Sequence, residues 1–261
     1  MDILSQGPLL VSRHGRHVAV VTLNRPEVHN AISAALAECL ERAVEQIEAD
    51  TDIRAAILTA AGGRSFCAGA DLGEVAAGKG AFLSRPGSGF AGFVQAQRAK
   101  PWIAAVEGAA LGGGTELSLA CDMIVAGEEA RFGLPEVRRG IFAGAGGVLR
   151  LARSVSRPIA IEMVATGVPI PAVRAAEIGL INRVVPAGQA LETALALAEQ
   201  IAENAPLAVR ESIRLVRLSV DGDEGRLWKE NAVSRDRILA SEDSREGPRA
   251  FIEKRKPVWQ G

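Results

Sequence analysis

An α/β fold followed by a helical C-terminal region is the class predicted by this 261-residue chain, and three observations predict it. β-rich apolar runs alternate with segments of helical periodicity along the first part of the sequence. Glycine clusters mark several of the places where one gives way to the other. After about Gly188 the strands stop and helical patterns follow one another directly. The expected division is 1–188 for an α/β core and 189–261 for a helical layer. The length suffices for a sizeable core.

The first apolar run, HVAVVTL (His17 to Leu23), reads as a strand ended at Asn24-Arg25-Pro26, where proline forces a turn. From Ser33 to Ala49, Leu36, Leu40, Ala43, Val44 and Ile47 repeat at helical spacing, with Ser33 placed to cap the first turn. Ile53 to Thr59 is a buried strand, and Gly62-Gly63 ends it. Ala77 to Gly92 is rich in glycine and proline and reads as a mobile surface loop. A helix over Phe90 to Ala99 is expected to stop before Pro101, and Trp102 to Val106 returns as a strand. A glycine run, a short helix over Glu116 to Ala120 and a strand over Asp122 to Ala126 follow. Leu191 to Asn204, Leu207 to Leu218 and Glu224 to Leu239 are helical, Pro206 opening the second where a missing N–H costs little. Their apolar faces exceed what that layer needs for its own core, so subunit contacts are expected.

With 48% hydrophobic and 23% charged residues and a net charge of −1, the chain has no long-range field to attract nucleic acid or an anionic membrane. No apolar stretch reaches the ~20 residues of a membrane span. The segment MDILSQGPLLVSRHG has an early acid and no basic region ahead of an apolar run, so no secretory leader is expected and a cytoplasmic location is. Cys39, Cys67 and Cys121 are odd in number and widely spaced, which fits reduced thiols. No Cys/His cluster points to a metal. The only histidines are His14, His17 and His29, so carboxylates are left to carry acid–base work.

Two such carboxylates end motifs of their own. Glu116 closes LGGGTE and Glu136 closes FGLPE. Three glycines between a strand and a helix leave N–H groups uncovered at the positive end of that helix, where anionic oxygen binds. Upstream, FCAGAD offers a second exposed N–H at Ala70, after Gly69 bends the chain. Two such turns aimed at one oxygen would form an oxyanion hole. The plainer reading makes Glu116 and Glu136 first-turn residues that complement a helix dipole. Asp71 reads as a structural cap. GIFAGAGGVLRL (Gly140 to Leu151) is either the far wall of a pocket or close packing. Gly87 to Gly92 matches GxGxxG but follows no strand, and in Gly73 to Gly80 a glycine replaces the hydroxyl residue of a P-loop; both are set aside.

Taken together, NRPEVHNAIS, FCAGADL, EGAALGGGTELSLACD, FGLPEVRRGIFAGAGGVLRL and EGPRAFIEKRKPVW resemble the enoyl-CoA hydratase/isomerase (crotonase) superfamily over nearly the whole chain. The resemblance implies a spiral of ββα units with a helical C-terminal oligomerisation region, in homotrimers or dimers of trimers. It implies an oxyanion hole from the N–H groups of Ala70 and Gly113, and Glu116 and Glu136 as the catalytic pair. It implies coenzyme A contacts at Arg64, Ala68, Asp71 and Leu72, with Phe251 and Lys254 where some relatives reach a neighbouring subunit's site. No cofactor is implied, coenzyme A being part of the substrate. Gly73, Phe142-Ala143 and His29 depart from the common pattern. Both glutamates being present points to hydration of a trans-2-enoyl-CoA to a 3-hydroxyacyl-CoA. A Δ3-Δ2 enoyl-CoA isomerase and a silent acyl-CoA binder are the alternatives. The loop over Ala77 to Gly92 is expected to cover the acyl end.

Overall fold

The computed structural model describes residues 7–220 and 222–261. In chain order its strands are β1 (Leu9–His14), β2 (Val18–Leu23), β3 (Ala55–Ala60), β4 (Ser65–Cys67), β5 (Ser84–Arg85), β6 (Gly89–Phe90), β7 (Trp102–Val106), β8 (Ala109–Leu111), β9 (Met123–Gly127), β10 (Arg131–Gly133), β11 (Ile170–Pro171) and β12 (Arg183–Val185). The helices are α1 (Ala34–Ala49), α2 (Leu72–Ala76), α3 (Gly113–Ala120), α4 (Gly147–Ser154), α5 (Arg157–Thr166), α6 (Ala172–Glu177), α7 (Ala190–Ala202), α8 (Pro206–Ser219), α9 (Glu224–Ala240) and α10 (Asp243–Ile252).

A six-stranded sheet runs β1-β2-β3-β7-β9-β12, and a four-stranded sheet runs β11-β10-β8-β4. In the first, β1 and β2 are antiparallel and every later pair is parallel. Parallel neighbours need crossover connections, and each crossover after β3 carries the chain through the smaller sheet or its helices. The strand ends that bear β4, β8 and the start of α3 are thereby gathered at one place.

Alternation along the strands divides the core. Val18, Val20, Ala55, Ile57, Ile103, Ala105 and Val125 face Ala190, Ala194 and Ala198 of α7. Ala19, Val21, Leu23, Ala56, Leu58, Ala104 and Val106 face the main core, with Leu36, Leu40 and Ile47 of α1. Alanine at every fourth position lets α7 lie close to the sheet, so packing continues from the strands into the first C-terminal helix. Beyond it, α8 and α9 leave Val216, Trp228 and Leu239 exposed.

Among the described residues strands cease after β12, as expected, but four helices follow rather than three. The sequence reading missed α10 because Pro248 lies inside it. The helix expected over Phe90 to Ala99 does not form. Ala91 and Gly92 both take positive φ (58° and 65°), and a side chain at Gly92 would lie 2.6 Å from the Ala37 carbonyl oxygen. The chain instead turns tightly against α1. The loop over Ala77 to Gly92 carries a helical turn (Gly80–Leu83) and the β5–β6 hairpin, tied to α1 by Arg85 Nε on Glu41 at 2.7 Å.

The first six residues of the segment read for a leader lie outside the described residues. No helix among the described residues is long and apolar enough to cross a membrane. All three cysteines are free, and burial pushes the Cys67 and Cys121 thiols up to about 12.

Candidate active site

Two backbone turns meet at the ends of β4 and β8. After β4, Ile32 donates its N–H to the Gly69 carbonyl (2.8 Å), and Asp71 donates to the Ile32 carbonyl (3.0 Å). This parallel bridge uses the groups on either side of Ala70 and leaves the Ala70 N–H pointing away from Ile32. After β8, Gly112 (φ 55°, ψ −123°) precedes Gly113, the first residue of α3, whose N–H has no acceptor within the helix. A Cβ added at Gly69 would lie 3.0 Å from the Gly113 nitrogen, and one at Gly113 would lie 2.6 Å from the Phe90 ring. The two turns touch backbone to backbone because neither carries a side chain there. Ala70 and Gly113 both line a cleft of about 990 Å³, and so do Glu116 and Glu136.

Glu116 sits in the first turn of α3, 4% exposed. Its Oε1 accepts the Gly147 N–H at 2.9 Å, from the start of α4. A Cβ at Gly147 would lie 2.9 Å from Glu116 Cγ, so only glycine lets that N–H come so close. Burial pushes the Glu116 carboxyl up to about 7, opposed by the Gly147 N–H and reinforced by the charge of Glu136.

Glu136 arrives from the other side, on the 3-10 turn Pro135–Arg139. A side chain on Gly112 would lie 3.0 Å from its Oε1. Its Oε2 is buried with no hydrogen-bond partner. Burial raises its pKa, while its own backbone N–H and the charge of Arg139 pull the other way. An unpartnered buried carboxyl oxygen costs free energy. Two carboxyls held above their ordinary range in one cleft, beside two N–H groups from converging turns, are equipped to take up and release a proton at one substrate.

Of the other residues singled out from sequence, Ala68, Asp71 and Leu72 line the same cleft. Asp71 caps α2 by accepting the Gly73 N–H (3.1 Å) and pairs with Arg25 (3.0 Å), so the cap reading holds. Arg64 is exposed and lies outside the cleft lining. Phe251 and Lys254 sit at and just beyond the end of α10, with Phe251 85% exposed, and do not line the cleft of their own chain. The Gly140 to Leu151 segment forms the far wall through Ile141, Phe142, Gly144 and Ala145.

Sequence reasoning missed Asn30. Fully buried and at φ 54°, a value asparagine tolerates, it accepts the Arg25 N–H (2.8 Å) and donates to the carbonyls of Ala61 (3.0 Å) and Ser65 (2.8 Å). It thereby pins the turn that carries Ile32 against Ala70. The Asn that follows a proline turn in NRPEVHN was the available signal.

The model of the Enoyl-CoA hydratase/isomerase family matches residues 13–261. The chain belongs to this family. It is 40% identical to enoyl-CoA hydratase EchA19 of Mycobacterium tuberculosis, over 100% of this chain and 99% of that one. It is 42% identical to the 2,3-dehydroadipyl-CoA hydratase of Escherichia coli, over 97% and 98%. A crystal structure of enoyl-CoA hydratase from M. tuberculosis H37Rv superimposes with a TM-score of 0.94 at 42% identity, covering 98% of this chain and 100% of that one. The architecture is thus the crotonase fold. In this member of the enoyl-CoA hydratase/isomerase family, Glu116, Glu136 and the two turns occupy a single cleft.

Proposed function

We propose that the chain adds water to a trans-2-enoyl-CoA to give a 3-hydroxyacyl-CoA. The observation that carries this reading is the pairing of a buried glutamate, Glu116, with a half-buried one, Glu136, both raised in pKa, in the cleft lined by Ala70 and Gly113. The thioester oxygen takes the N–H groups of Ala70 and Gly113, which draws electron density from C3. Each such donor is typically worth about 3 kcal/mol of barrier. Glu116 holds and deprotonates the water that attacks C3, and Glu136 delivers a proton to C2. One water between two carboxyls requires that they share a proton, so their titrations are coupled. An isomerase needs one carboxyl to move a proton between C2 and C4 and would leave the second unused.

Ala68, Asp71 and Leu72 form the rim past which the coenzyme A arm leaves, with Arg64 near its phosphates. Phe251 and Lys254 serve a neighbouring subunit in a homotrimer or dimer of trimers, an assembly that would cover the exposed apolar side chains of α8 and α9. The reaction as written needs no cofactor.

The pH dependence follows from the sign of the Glu116 shift. Its base form is lost as pH falls through about 7, so kcat/KM is expected to drop on the acid side of neutrality. Initial rates of enone loss from pH 5 to 9 check this. A flat profile removes Glu116 as the base, and no hydration of any 2-enoyl thioester removes the reading.

A further inference from the structure

Arg139 is a cation of the cleft that the reaction described so far does not use. It lies three residues after Glu136, on the last turn of the same 3-10 helix, and lines the cleft together with Ile141 and Phe142. Its basic neighbours are engaged. Arg138 donates from Nε to the Thr166 carbonyl at 3.0 Å, and Arg85, which also lines the cleft, is paired with Glu41 at 2.7 Å. Arg139 is exposed, and among the described residues no carboxylate stands within 4.0 Å of its guanidinium.

Its position is also electrostatically awkward. The charge of Arg139 pulls the Glu136 carboxyl down, against the burial that raises it. A guanidinium there favours the charged form of the carboxyl and so opposes its holding the proton it is to deliver. A negative charge that arrives with the substrate and pairs with the guanidinium relieves that opposition.

The direction of the substrate decides which part of it meets Arg139. With the thioester oxygen at Ala70 and Gly113 and the coenzyme A arm leaving past Ala68 and Leu72, the acyl chain runs past the glutamates. On the hydratase reading it then meets the wall lined by Ile141, Phe142 and Ala145. Those three side chains are apolar, and Arg139 lines the same cleft two residues before Ile141. We propose that Arg139 selects enoyl thioesters whose acyl chain ends in a carboxylate, the mono-coenzyme A esters of unsaturated dicarboxylic acids. The proposal rests on the hydratase reading above. Guanidinium and carboxylate match as a two-point, charge-assisted pair, and a chain ending in a quaternary ammonium is repelled by the same group.

The test compares kcat/KM for two six-carbon substrates, trans-2-hexenoyl-CoA and the mono-coenzyme A ester of trans-2-hexenedioic acid, in the wild type, Arg139→Gln and Arg139→Lys. The wild type is expected to favour the diacid ester by about 5-fold, the scale of a solvent-accessible ion pair. That ratio falls to about one or below in Arg139→Gln and is partly kept in Arg139→Lys. Equal losses on both substrates in Arg139→Gln would place the guanidinium on the coenzyme A phosphates and overturn the proposal. A wild-type preference for hexenoyl-CoA, or none, overturns it while leaving hydration intact. No hydration of either substrate removes both readings together.

Discussion

Glu116→Gln is expected to lower kcat by about 10²-fold or more and, at pH 8, to raise the melting temperature. Both effects come from one feature, a carboxylate held where water is excluded. The folded-state pKa of Glu116 is about 7 against an ordinary 4.5, so the folded protein binds this proton more tightly than the unfolded chain does. The sign follows from linkage. Below about pH 4.5 the group is neutral in both states and burial carries no penalty. From about pH 4.5 to about 7 the unfolded chain ionises while the folded state keeps its proton, and above 7 the folded state holds a charge that the unfolded chain keeps in water. Stability is lost across that window, on the order of 3 kcal/mol by pH 8. Glutamine has nearly the same shape, keeps an acceptor for the Gly147 N–H and is never charged. For a chain of this size the gain corresponds to roughly 5–10 °C. Thermal unfolding of both proteins at pH 8 and pH 5 checks it, the difference being large at the first and small at the second. A variant less stable than wild type at pH 8 would mean that the buried charge is compensated more fully than the geometry indicates.

Gly114→Ala should cost more than any exchange on the cleft surface. A Cβ there would lie 2.0 Å from the Cys67 carbonyl oxygen and 2.8 Å from its carbon, both backbone atoms of β4. No rotamer relieves the clash, because β4 is held to β8 by the smaller sheet. α3 must move away from β4, and with it Gly113 away from Ala70. A loss of at least about 3 kcal/mol is expected, in the range where single substitutions unfold marginal domains. In whatever fraction folds, kcat should fall by more than KM rises, since the oxyanion donors act chiefly in the transition state. Gly80→Ala is the control: its nearest neighbour would be 3.6 Å away, and its φ is not positive. Equal stability of the two variants would show that the β4–α3 contact is not the constraint described.

How far the sequence carries depends on the range of the interactions. The face of α1 and its cap were legible, because Ser33 accepts the Leu36 N–H at 3.2 Å within one turn. The turns at Gly69 and Gly112 were legible too, as glycine positions with the conformations that glycine permits. Legible, at a distance, was the pairing of Glu116 with Glu136, through motifs whose combination resembles one family. What was hidden is what the fold brings from far away. The Gly147 N–H that fixes Glu116 lies 31 residues along the chain. The three bonds of Asn30 join segments up to 35 residues apart. The helix expected over Phe90 to Ala99 had acceptable local propensity, but the Arg150 guanidinium takes the Val94 carbonyl and the contact at Gly92 requires a turn. Local pattern names the parts, and tertiary contact decides which of them become rigid.

The central claim is that two carboxyls add one water to a 2-enoyl thioester, and since both reach the substrate in one cleft the addition is expected on one face. Hydration of crotonyl-CoA in D₂O, with mass and NMR analysis of the product, tests it most directly. A 3-hydroxybutyryl thioester with a single deuterium at C2, on the face that carries the new hydroxyl and absent with Glu136→Gln, is the predicted result. A shifted double bond without added water, or deuterium distributed over both faces, would contradict it.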